Sequence, residues 1–273
     1  MNILITGGAG YIGSELLSFL LKDHKVTVLD NLMYDHTSLL RYVGHQNFSF
    51  VRGDTRDLRA LKTLMQKSDV VIPLAALVGF PLCDKHPRET IETNFETNKW
   101  IAHNKSKDQI VVYPCTNSGY GTSDDGAVVT EDSPLNPVSL YGQTKVDAET
   151  DLLVNNFVLK TLQDRILVLY ECEFMRNYVH IWDVCRAFVH TLDNWDACKD
   201  ETYNVGNDSL NMNKLQLAQK IQEHLPLEII KAEFMKDPDV RDYTVSSEKF
   251  YSTGYECRYD LDDGIKQLIQ ATS

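Results

Sequence analysis

The sequence predicts an α/β fold: a doubly wound parallel sheet followed by a small mixed α/β region. In the first half of the chain, short runs rich in β-branched residues alternate with longer segments whose apolar residues recur at helical spacing. A hydrophobic fraction of 43% over 273 residues is also ample for a buried core. The first observation predicts alternating strands and helices, and the second indicates that they can enclose a buried core.

Five strands are expected in the first half, and each is a short, mostly apolar run. They are Asn2–Thr6, Lys25–Asp30, Phe48–Asp54, Asp69–Ala75 and Gln109–Thr116. Parallel strands need long crossovers, which are right-handed and usually helical, so helices are expected between them. The helices expected are Ile12–Lys22, Ala60–Gln66, Arg88–Lys105 and one that begins at Tyr141.

The second half has a more mixed pattern. The strands expected there are Arg165–Tyr170, Thr202–Val205 and Leu227–Phe234, and the helices are Trp182–Asn194, Asn213–His224 and Leu261–Ala271. No repeat, low-complexity tract or Pro/Gly/Ser-rich linker separates the two halves. We therefore expect one domain over residues 1–150 and a second region over residues 151–273, with a segment near 182–207 returning to the first domain.

Composition narrows the class of partner. The net charge of −12 and the pI near 5.1 argue against nucleic acid and anionic membranes, because both require clustered Lys and Arg. Six scattered cysteines form no zinc-like spacing, so no metal site is expected, and reduced thiols are the simpler interpretation. With no signal-like leader and no apolar run of membrane-spanning length, a cytoplasmic location is expected.

A glycine-rich turn follows the first expected strand. The run Gly7-Gly8-Ala9-Gly10-Tyr11-Ile12-Gly13 leads directly into the first expected helix. Glycines allow a tight turn and let backbone amides approach a pyrophosphate at a helix N-terminus. Asp30 ends the next expected strand, about 20 residues on, where a carboxylate accepts hydrogen bonds from ribose hydroxyls. A merely glycine-rich turn is the alternative to a dinucleotide site.

Asp30 also bears on the choice of cofactor. A carboxylate at this position repels the 2′-phosphate of NADP, and no Arg or Lys follows within the next ten positions to offset that repulsion. NAD is therefore the expected cofactor.

A candidate catalytic pair lies in Tyr141-Gly142-Gln143-Thr144-Lys145, where a phenol and an ammonium lie four residues apart. On a helix they share one face, and a nearby cation lowers the pKa of a tyrosine from about 10, which makes it a usable general base. Thr116 opens a polar turn after the fifth strand, where its hydroxyl could hydrogen-bond a reacting sugar oxygen. A solvated helix face and an ordinary polar turn are the alternatives.

Taken together, these motifs resemble the extended short-chain dehydrogenase/reductases, the nucleotide-sugar epimerase/dehydratase family, over nearly the whole chain. Further matches are Arg52-Gly53-Asp54, Leu74-Ala75-Ala76, Asn94, the segment 176–184 and Tyr203-Asn204-Val205-Gly206. The resemblance implies a Rossmann fold with a substrate-binding region mainly after residue 150. It also implies an NAD cofactor, and a homodimer formed through helices near 88–105 and 141–162.

The resemblance also implies roles for individual residues. The catalytic residues would be Tyr141, Lys145 and Thr116. NAD would be bound by Gly7, Gly10, Tyr11, Ile12, Gly13, Asp30, Asn31, Asp54, Thr55, Leu74, Ala75, Ala76, Asn94, Tyr141 and Lys145. The nucleotide sugar, GDP- or UDP-linked, would be bound by Val78, Asn117, Ser118, Asn155, Arg176 and Arg241. Both arginines suit a diphosphate, although Arg241 could instead form a surface salt bridge with a neighbouring Asp.

The reaction implied by the resemblance begins with oxidation at C4 of the sugar. Family dehydratases and decarboxylases place an acidic residue just after the catalytic Thr, whereas this chain has Asn117 and Ser118. C4 epimerisation and net C4 oxidation therefore remain as possible reactions. The sequence of residues 71–79 and 116–121 looks most like that of a GDP-heptose 4-dehydrogenase of capsule or lipopolysaccharide sugar synthesis. A non-catalytic NAD sensor is a further alternative.

Two departures from the family pattern stand out. After Ala148-Glu149-Thr150 the chain runs straight into Asp151-Leu152-Leu153, where alternation expects another strand. A loop omitted from the numbering is favoured over a true deletion, and Asn155 then follows the gap. The second departure is Asn98, at a position usually occupied by a small hydroxyl residue.

Overall fold

A computed structural model of the protein describes residues 1–34, 37–123, 127–144, 146, 165–232 and 241–272. The chain divides into two units. The first contains Met1–Thr116, Ser139–Glu149 and Cys185–Trp195, and the second contains Asn117–Val138, Thr150–Val184 and Asp196–Ser273. Residues 117–138 group with the second unit although they precede the expected boundary at residue 150, and residues 185–195 lie within the segment near 182–207 that was expected to return to the first domain.

The first unit is built on a parallel sheet with flanking helices, which confirms the predicted fold class. Its strands are β1 (Asn2–Thr6), β2 (Lys25–Asp30), β3 (Phe48–Arg52), β4 (Val70–Pro73) and β5 (Ile110–Val111), in the order β3-β2-β1-β4-β5. The chain reverses direction across the sheet between β1 and β4, where Ile3 pairs with Val70 and Thr6 with Pro73. In open α/β sheets, the carboxyl ends of strands at such a reversal form the ligand-binding crevice.

Helices flank this sheet in the first unit. They are Tyr11–Leu20, Leu58–Met65, Phe80–Lys85, Pro87–Thr90, Thr97–Asn104 and Leu140–Thr144, with a 3-10 helix at Ser38–Tyr42 and a π-helix at Ile91–Glu96. One core cluster joins Leu4 and Val71 of the sheet to Leu61 and Ile101 of two helices. The predicted helix over 88–105 is therefore present, but a π-helical turn interrupts it.

Among its described residues, the second unit contains three two-stranded sheets. β6 (Val128–Val129) pairs in parallel with β11 (Thr244–Val245), β7 (Ile166–Leu169) pairs in parallel with β10 (Glu228–Lys231), and β8 (Met175–Asn177) pairs antiparallel with β9 (Asn211–Asn213). The other helices among the described residues are Ile181–Asp193, Trp195–Cys198, Lys214–Gln222, Glu248–Tyr251 and Leu261–Thr272, with 3-10 helices at Asn117–Tyr120 and Asp208–Leu210. The helix Lys214–Gln222 begins with a capping box between Asn213 and Gln216.

One predicted strand is wrong: residues 202–205 are described without regular structure. The physical reason is that the backbone N–H of Asn204, which a strand would use to pair with its neighbour, bonds a distant side chain instead. Its backbone N–H donates to the Glu131 carboxylate at 2.6 Å, and its side-chain amide donates to the Ser246 carbonyl at 3.1 Å. Long-range side-chain contacts therefore replace a ladder at this segment.

The missing strand expected after Thr150 falls at a junction whose two explanations, an omitted loop and a true deletion, both stay predictions. Among the described residues, the sheet of the first unit has five strands, and the strand at 166–169 pairs with β10 in the second unit. Residues 147–164, which include the junction itself, lie outside the described part of the chain.

Within the described ranges, no helix is long and apolar enough to cross a membrane, and no group of His, Cys, Asp and Glu side chains could hold a metal ion.

Candidate active site

The glycine turn joins β1 to the helix Tyr11–Leu20 and is packed too tightly for side chains. Gly7 has φ +71°, and a Cβ on it would lie 2.5 Å from the backbone nitrogen of Ala75. A Cβ on Gly13 would lie 2.5 Å from the Cα of Gly8. These two glycines therefore let the turn, the helix and the end of β4 approach one another.

Gly10 has a different environment. A Cβ built there would meet only the carbonyl oxygen of Gly7, at 3.2 Å. Gly10 is the N-cap of the helix Tyr11–Leu20, no side chain caps that end, and the first turn holds no acidic residue. The amides of this turn, including those of Tyr11 and Ile12, thus form a helix N-terminus suited to an anion.

Asp30 ends β2 with its carboxylate fixed against the glycine turn. One carboxylate oxygen accepts from the backbone N–H of Ala9 at 2.9 Å, and the other from the N–H of Leu32 at 2.7 Å. Asn31 accepts from the N–H of Met33 at 2.9 Å. Two backbone donors therefore hold the Asp30 carboxylate beside the predicted pyrophosphate site.

Asp54 follows β3 and is held by an arginine. Arg56 donates from Nε and Nη2 to the two carboxylate oxygens of Asp54, at 3.0 and 2.8 Å, and this pairing lowers the pKa of Asp54 below its ordinary value. Glu89 and Glu92 lie 3.1 and 3.3 Å from the same guanidinium. The neighbouring Thr55 has a buried hydroxyl with no hydrogen-bond partner among the described residues.

The loop after β4 is held by hydrogen bonds with Thr6 of β1 and with the side chain of Asn94. Leu74 donates its N–H to the Thr6 carbonyl at 2.9 Å, and the N–H of Ala75 reaches the Thr6 hydroxyl at 3.3 Å. After Ala76, the backbone of Leu77 is held on both sides by Asn94. The N–H of Leu77 donates to Asn94 Oδ1 and its carbonyl accepts from Asn94 Nδ2, both at 2.9 Å.

Asn94 is 0% exposed, so its side-chain amide acts on the protein itself. Asn94 would therefore contribute to the cofactor site indirectly, by holding the loop that contains Leu77. Val78, one residue beyond Leu77, is 42% exposed.

Tyr141 lies in the helix Leu140–Thr144 of the same unit. Its ring is 1% exposed and packs with Leu77 and Cys83. The Ser139 hydroxyl accepts from the N–H of Gly142 at 2.9 Å, which fixes the start of the helix as an N-cap does. Thr116, also in this unit, is 8% exposed. Lys145 lies outside the described residues.

In the second unit, three of the predicted substrate-binding residues come together. Arg241 donates from its guanidinium to the hydroxyl of Ser118, and its backbone carbonyl accepts from the guanidinium of Arg176. Arg176 also donates to the Met175 carbonyl at 2.8 Å, and its guanidinium carbon lies 5.5 Å from the centre of the Tyr243 ring. Arg176 is 1% exposed, whereas Arg241 is half-buried.

Asn117 begins the 3-10 helix that carries Ser118, and Asn155 lies outside the described residues. The 3-10 helix is fixed at its far end, because the Tyr120 hydroxyl donates to Asn204 Oδ1 at 2.8 Å. The turn after Thr116 therefore has a defined conformation within the second unit.

Among the residues in contact with these predicted positions, Arg56, Leu77 and Tyr243 were not expected from sequence. Arg56 had a local signal, since an arginine two residues after Asp54 can reach its carboxylate. Leu77 and Tyr243 had none, because their contacts join segments that are distant in the chain.

NAD fits the residues present in the first unit. The uncapped helix N-terminus, the lightly packed Gly10 and the Thr55 hydroxyl, which has no partner among the described residues, all occur along one edge of the sheet, together with the Asp30 carboxylate. These are donors and acceptors that a pyrophosphate, a ribose and an adenine require. The fold and the site thus define a dinucleotide-dependent enzyme.

Comparisons with known proteins give the family. Residues 3–155 match the family model described as NAD dependent epimerase/dehydratase family, which covers more than half of the chain. The chain belongs to this family. It is therefore an enzyme, and its cofactor is NAD, as the sequence predicted.

Three individual proteins illustrate the similarity. The low-salt glycan biosynthesis protein Agl12 of Haloferax volcanii is 26% identical over 307 residues, 98% of this chain and 97% of the relative. The dTDP-D-glucose 4,6-dehydratase of Homo sapiens is 24% identical and covers 98% of this chain and 89% of the relative. A structure of UDP-glucose 4-epimerase with UDP-glucose from Thermotoga maritima has a TM-score of 0.85 at 22% identity, with 100% of this chain and 99% of that chain covered.

The Agl12 alignment is longer than this chain, 307 positions against 273 residues, so it opens gaps in this chain. The structural likeness, at 22% identity, shows the fold.

Proposed function

We propose that this protein uses NAD to oxidise the C4 hydroxyl of a nucleotide-linked sugar, and that reduction of the ketone from its other face completes a 4-epimerisation. The observation that carries the proposal is the position of Tyr141. Its buried ring packs against Leu77, in the loop that follows β4, and this loop contacts the glycine turn through Ala75. A phenol at this edge of the sheet is in the same unit as the residues that suit NAD.

In the proposed reaction, Tyr141 accepts the proton of the C4 hydroxyl, and the Thr116 hydroxyl hydrogen-bonds the same oxygen as it becomes a carbonyl. Lys145, four residues after Tyr141, would favour the phenolate by its charge. Bound NAD supplies the acceptor for the hydride that leaves C4. Ser139 and Leu77 act by holding Tyr141: the first caps its helix, and the second packs against its ring.

For the nucleotide diphosphate, we propose that Arg241 makes the direct contact and that Arg176 holds Arg241 from behind. The Arg176 guanidinium donates to the carbonyls of Met175 and Arg241, so part of its hydrogen-bonding capacity is already used within the protein. Arg241 is only half-buried, and a planar fork of donors suits phosphate oxygens.

The residues after Thr116 separate the possible outcomes. Eliminating water from C5 and C6 of a 4-keto sugar needs an acid and a base, and neither the amide of Asn117 nor the hydroxyl of Ser118 titrates near neutral pH. Ser118 is, moreover, occupied as an acceptor for Arg241. Dehydration is therefore disfavoured although a 4,6-dehydratase is among the relatives.

Net oxidation with release of the 4-keto sugar is the second candidate. It shares the first step with epimerisation and differs only in whether the ketone leaves before it is reduced. The likeness of residues 71–79 and 116–121 to GDP-heptose 4-dehydrogenases supports this outcome, with a GDP-linked heptose as the narrower hypothesis for the substrate.

Product analysis tests the proposal. Purified full-length protein is incubated with NAD and with UDP-, dTDP- and GDP-linked hexoses and GDP-heptose, and the products are identified by NMR while NADH absorbance is recorded. We expect a 4-epimer with catalytic NAD and no build-up of NADH, whereas NADH formed in proportion to a 4-keto product would assign net oxidation. A 4-keto-6-deoxy product, or bound NAD with no turnover of any sugar, contradicts the proposal. Tyr141→Phe protein supplies the background rate.

A further inference from the structure

The helix that braces the cofactor loop has an uncommon backbone. Between Pro87–Thr90 and Thr97–Asn104 the chain forms a π-helix over Ile91–Glu96, and the N–H of Thr97 at its end bonds to the carbonyl of Glu92, five residues earlier. Single π-turns inside α-helices are rare and are frequent at functional sites. This one carries Asn94 within it.

Two side chains hold the π-turn at its C-terminal end. The Thr97 hydroxyl and the Thr97 N–H both donate to the Glu92 carbonyl, the hydroxyl at 2.9 Å. The Asn98 side-chain amide donates to the Asn94 carbonyl at 2.8 Å. At this point the backbone hydrogen bonds change from the π-helical pattern, which spans five residues, to the α-helical pattern, which spans four. The two side chains therefore bond carbonyls at the junction between the π-helix and the α-helix.

The π-turn sets the direction of Asn94. The side-chain amide of Asn94 is 0% exposed and bonds both backbone groups of Leu77 at 2.9 Å. A regular α-helix turns by about 100° per residue, and a π-turn contains one more residue than an α-helical turn. Conversion of the π-turn to a regular α-helix would therefore rotate Asn94 by about 100° relative to one of the two adjoining helices. Asn94 would then no longer face Leu77.

Leu77 connects this brace to Tyr141. The Leu77 side chain packs with the Tyr141 ring and with Cys83, and the Cys83 thiol donates to the Leu77 carbonyl at 3.4 Å. A continuous set of contacts therefore runs from Asn98 through Asn94 and Leu77 to the ring of Tyr141, all within the first unit.

We propose that Asn98 is a positioning residue for NAD binding and for Tyr141, and that it acts by holding the π-turn that aims Asn94 at Leu77. The part that concerns turnover rests on the proposed function. The part that concerns NAD does not, since NAD affinity is measured without any sugar.

Three variants test the proposal. Asn98→Leu keeps the approximate size and removes the donor. Asn98→Ser restores a donor, because a serine hydroxyl can bond the carbonyl four residues earlier in a helix. Asn104→Leu is the matched control: Asn104 makes the same bond, from Nδ2 to the Trp100 carbonyl at 2.9 Å, on the same helix but outside the π-turn.

The readouts are the NAD dissociation constant by fluorescence titration, kcat and KM for the sugar, and thermal unfolding of each variant. For Asn98→Leu we expect NAD affinity to fall about tenfold, the effect of roughly one lost hydrogen bond, and kcat to fall with little change in sugar KM. Asn98→Ser should return most of the affinity, and Asn104→Leu should match the unsubstituted protein.

Wild-type NAD affinity in Asn98→Leu would overturn the proposal. So would an equal loss in Asn98→Ser, or an equal loss in Asn104→Leu, since either would show that the bond to the Asn94 carbonyl is not the cause. If Asn98→Leu does not fold, Asn98→Ala takes its place in the same comparison, because it also lacks the donor. If no sugar is turned over while the NAD result holds, the proposed function fails and the role of Asn98 in cofactor binding stands.

Discussion

Arg241 donates a hydrogen bond from its guanidinium to the hydroxyl of Ser118, across 123 positions of sequence. The hydrogen bond joins the two segments of the second unit that carry Ser118 and Arg241. Arg176, stacked on Tyr243, bonds the backbone of Arg241 and fixes it from the other side. The second unit thus presents one oriented guanidinium, which is the arrangement that recognition of a diphosphate requires.

Removing the Ser118 hydroxyl tests this arrangement. Ser118→Ala deletes the acceptor of a hydrogen bond from a charged donor, an interaction of about 1.5–3 kcal/mol, so we expect sugar KM to rise about tenfold or more. NAD affinity should stay unchanged, because the cofactor residues lie in the other unit. Steady-state kinetics and NAD titration provide the two measurements.

The matched control is Ser133→Ala, at a half-buried serine of the same unit whose hydroxyl accepts from the Thr130 N–H at 2.9 Å. An unchanged KM in Ser118→Ala, or an equal rise in Ser133→Ala, would argue against a role for Ser118 in orienting Arg241.

The glycines of the turn should separate stability from cofactor binding. A Cβ at Gly10 meets only the Gly7 carbonyl, at 3.2 Å, and the φ of −72° at Gly10 suits alanine. We therefore expect Gly10→Ala to fold with at most a modest loss of stability, because only the Gly7 carbonyl must shift, and to bind NAD at least about tenfold more weakly, because a methyl group there blocks approach of the pyrophosphate. Thermal unfolding and NAD titration measure the two effects.

Gly7→Ala should instead lose both stability and NAD affinity. Its Cβ would overlap the backbone of Ala75 at 2.5 Å, and its φ of +71° is unfavourable for alanine. If Gly10→Ala bound NAD normally, the space at Gly10 would have no function in binding.

Much of the first unit could be predicted from sequence because its signals are local. β1 and β2 have the predicted bounds, since a run of apolar β-branched residues followed by a glycine turn or an Asp specifies both ends of a strand. The cofactor edge followed from the same local signals, as the order of strands in a doubly wound sheet brings the ends of β1 and β4 together.

What could not be predicted depends on contacts between distant segments. The π-turn rests on how Thr97 and Asn98 bond earlier carbonyls, whereas apolar spacing indicates only a continuous helix. Residues 202–205 contain the β-favouring Tyr203 and Val205, yet Asn204 bonds Glu131, 73 positions away. The Arg176–Arg241 contact likewise spans 65 positions and leaves no local pattern.

The ion pair between Arg56 and Asp54 should make stability depend on pH in the acid range. The hydrogen bond from Arg56 lowers the pKa of Asp54 below its ordinary value of 3.8. A depressed carboxyl pKa contributes stability that is fully present above the unfolded-state value and is lost as pH falls through the folded-state value. Arg56→Gln should therefore lower the free energy of unfolding most near neutral pH, and the difference should shrink on acidification.

Urea denaturation at a series of pH values measures that difference, and NMR titration of the Asp54 carboxyl follows its pKa directly, which should rise in Arg56→Gln. Arg59→Gln removes the same charge from an exposed position nearby and is the control. A difference that stays constant or grows toward low pH would contradict the assignment.

Tyr141→Phe tests the base itself. The substitution keeps the buried ring and its packing against Leu77 and Cys83 and removes only the hydroxyl, so the loop after β4 should keep its conformation. We expect kcat to fall by about a hundredfold to ten-thousandfold, the usual contribution of a general base, while NAD affinity is unchanged. Tyr113→Phe, at an exposed tyrosine of the same unit, is the control and should leave kcat as it was. If Tyr141→Phe retained most of its activity, the proton of the C4 hydroxyl would have to pass to another group, and the position of Tyr141 would no longer support C4 oxidation.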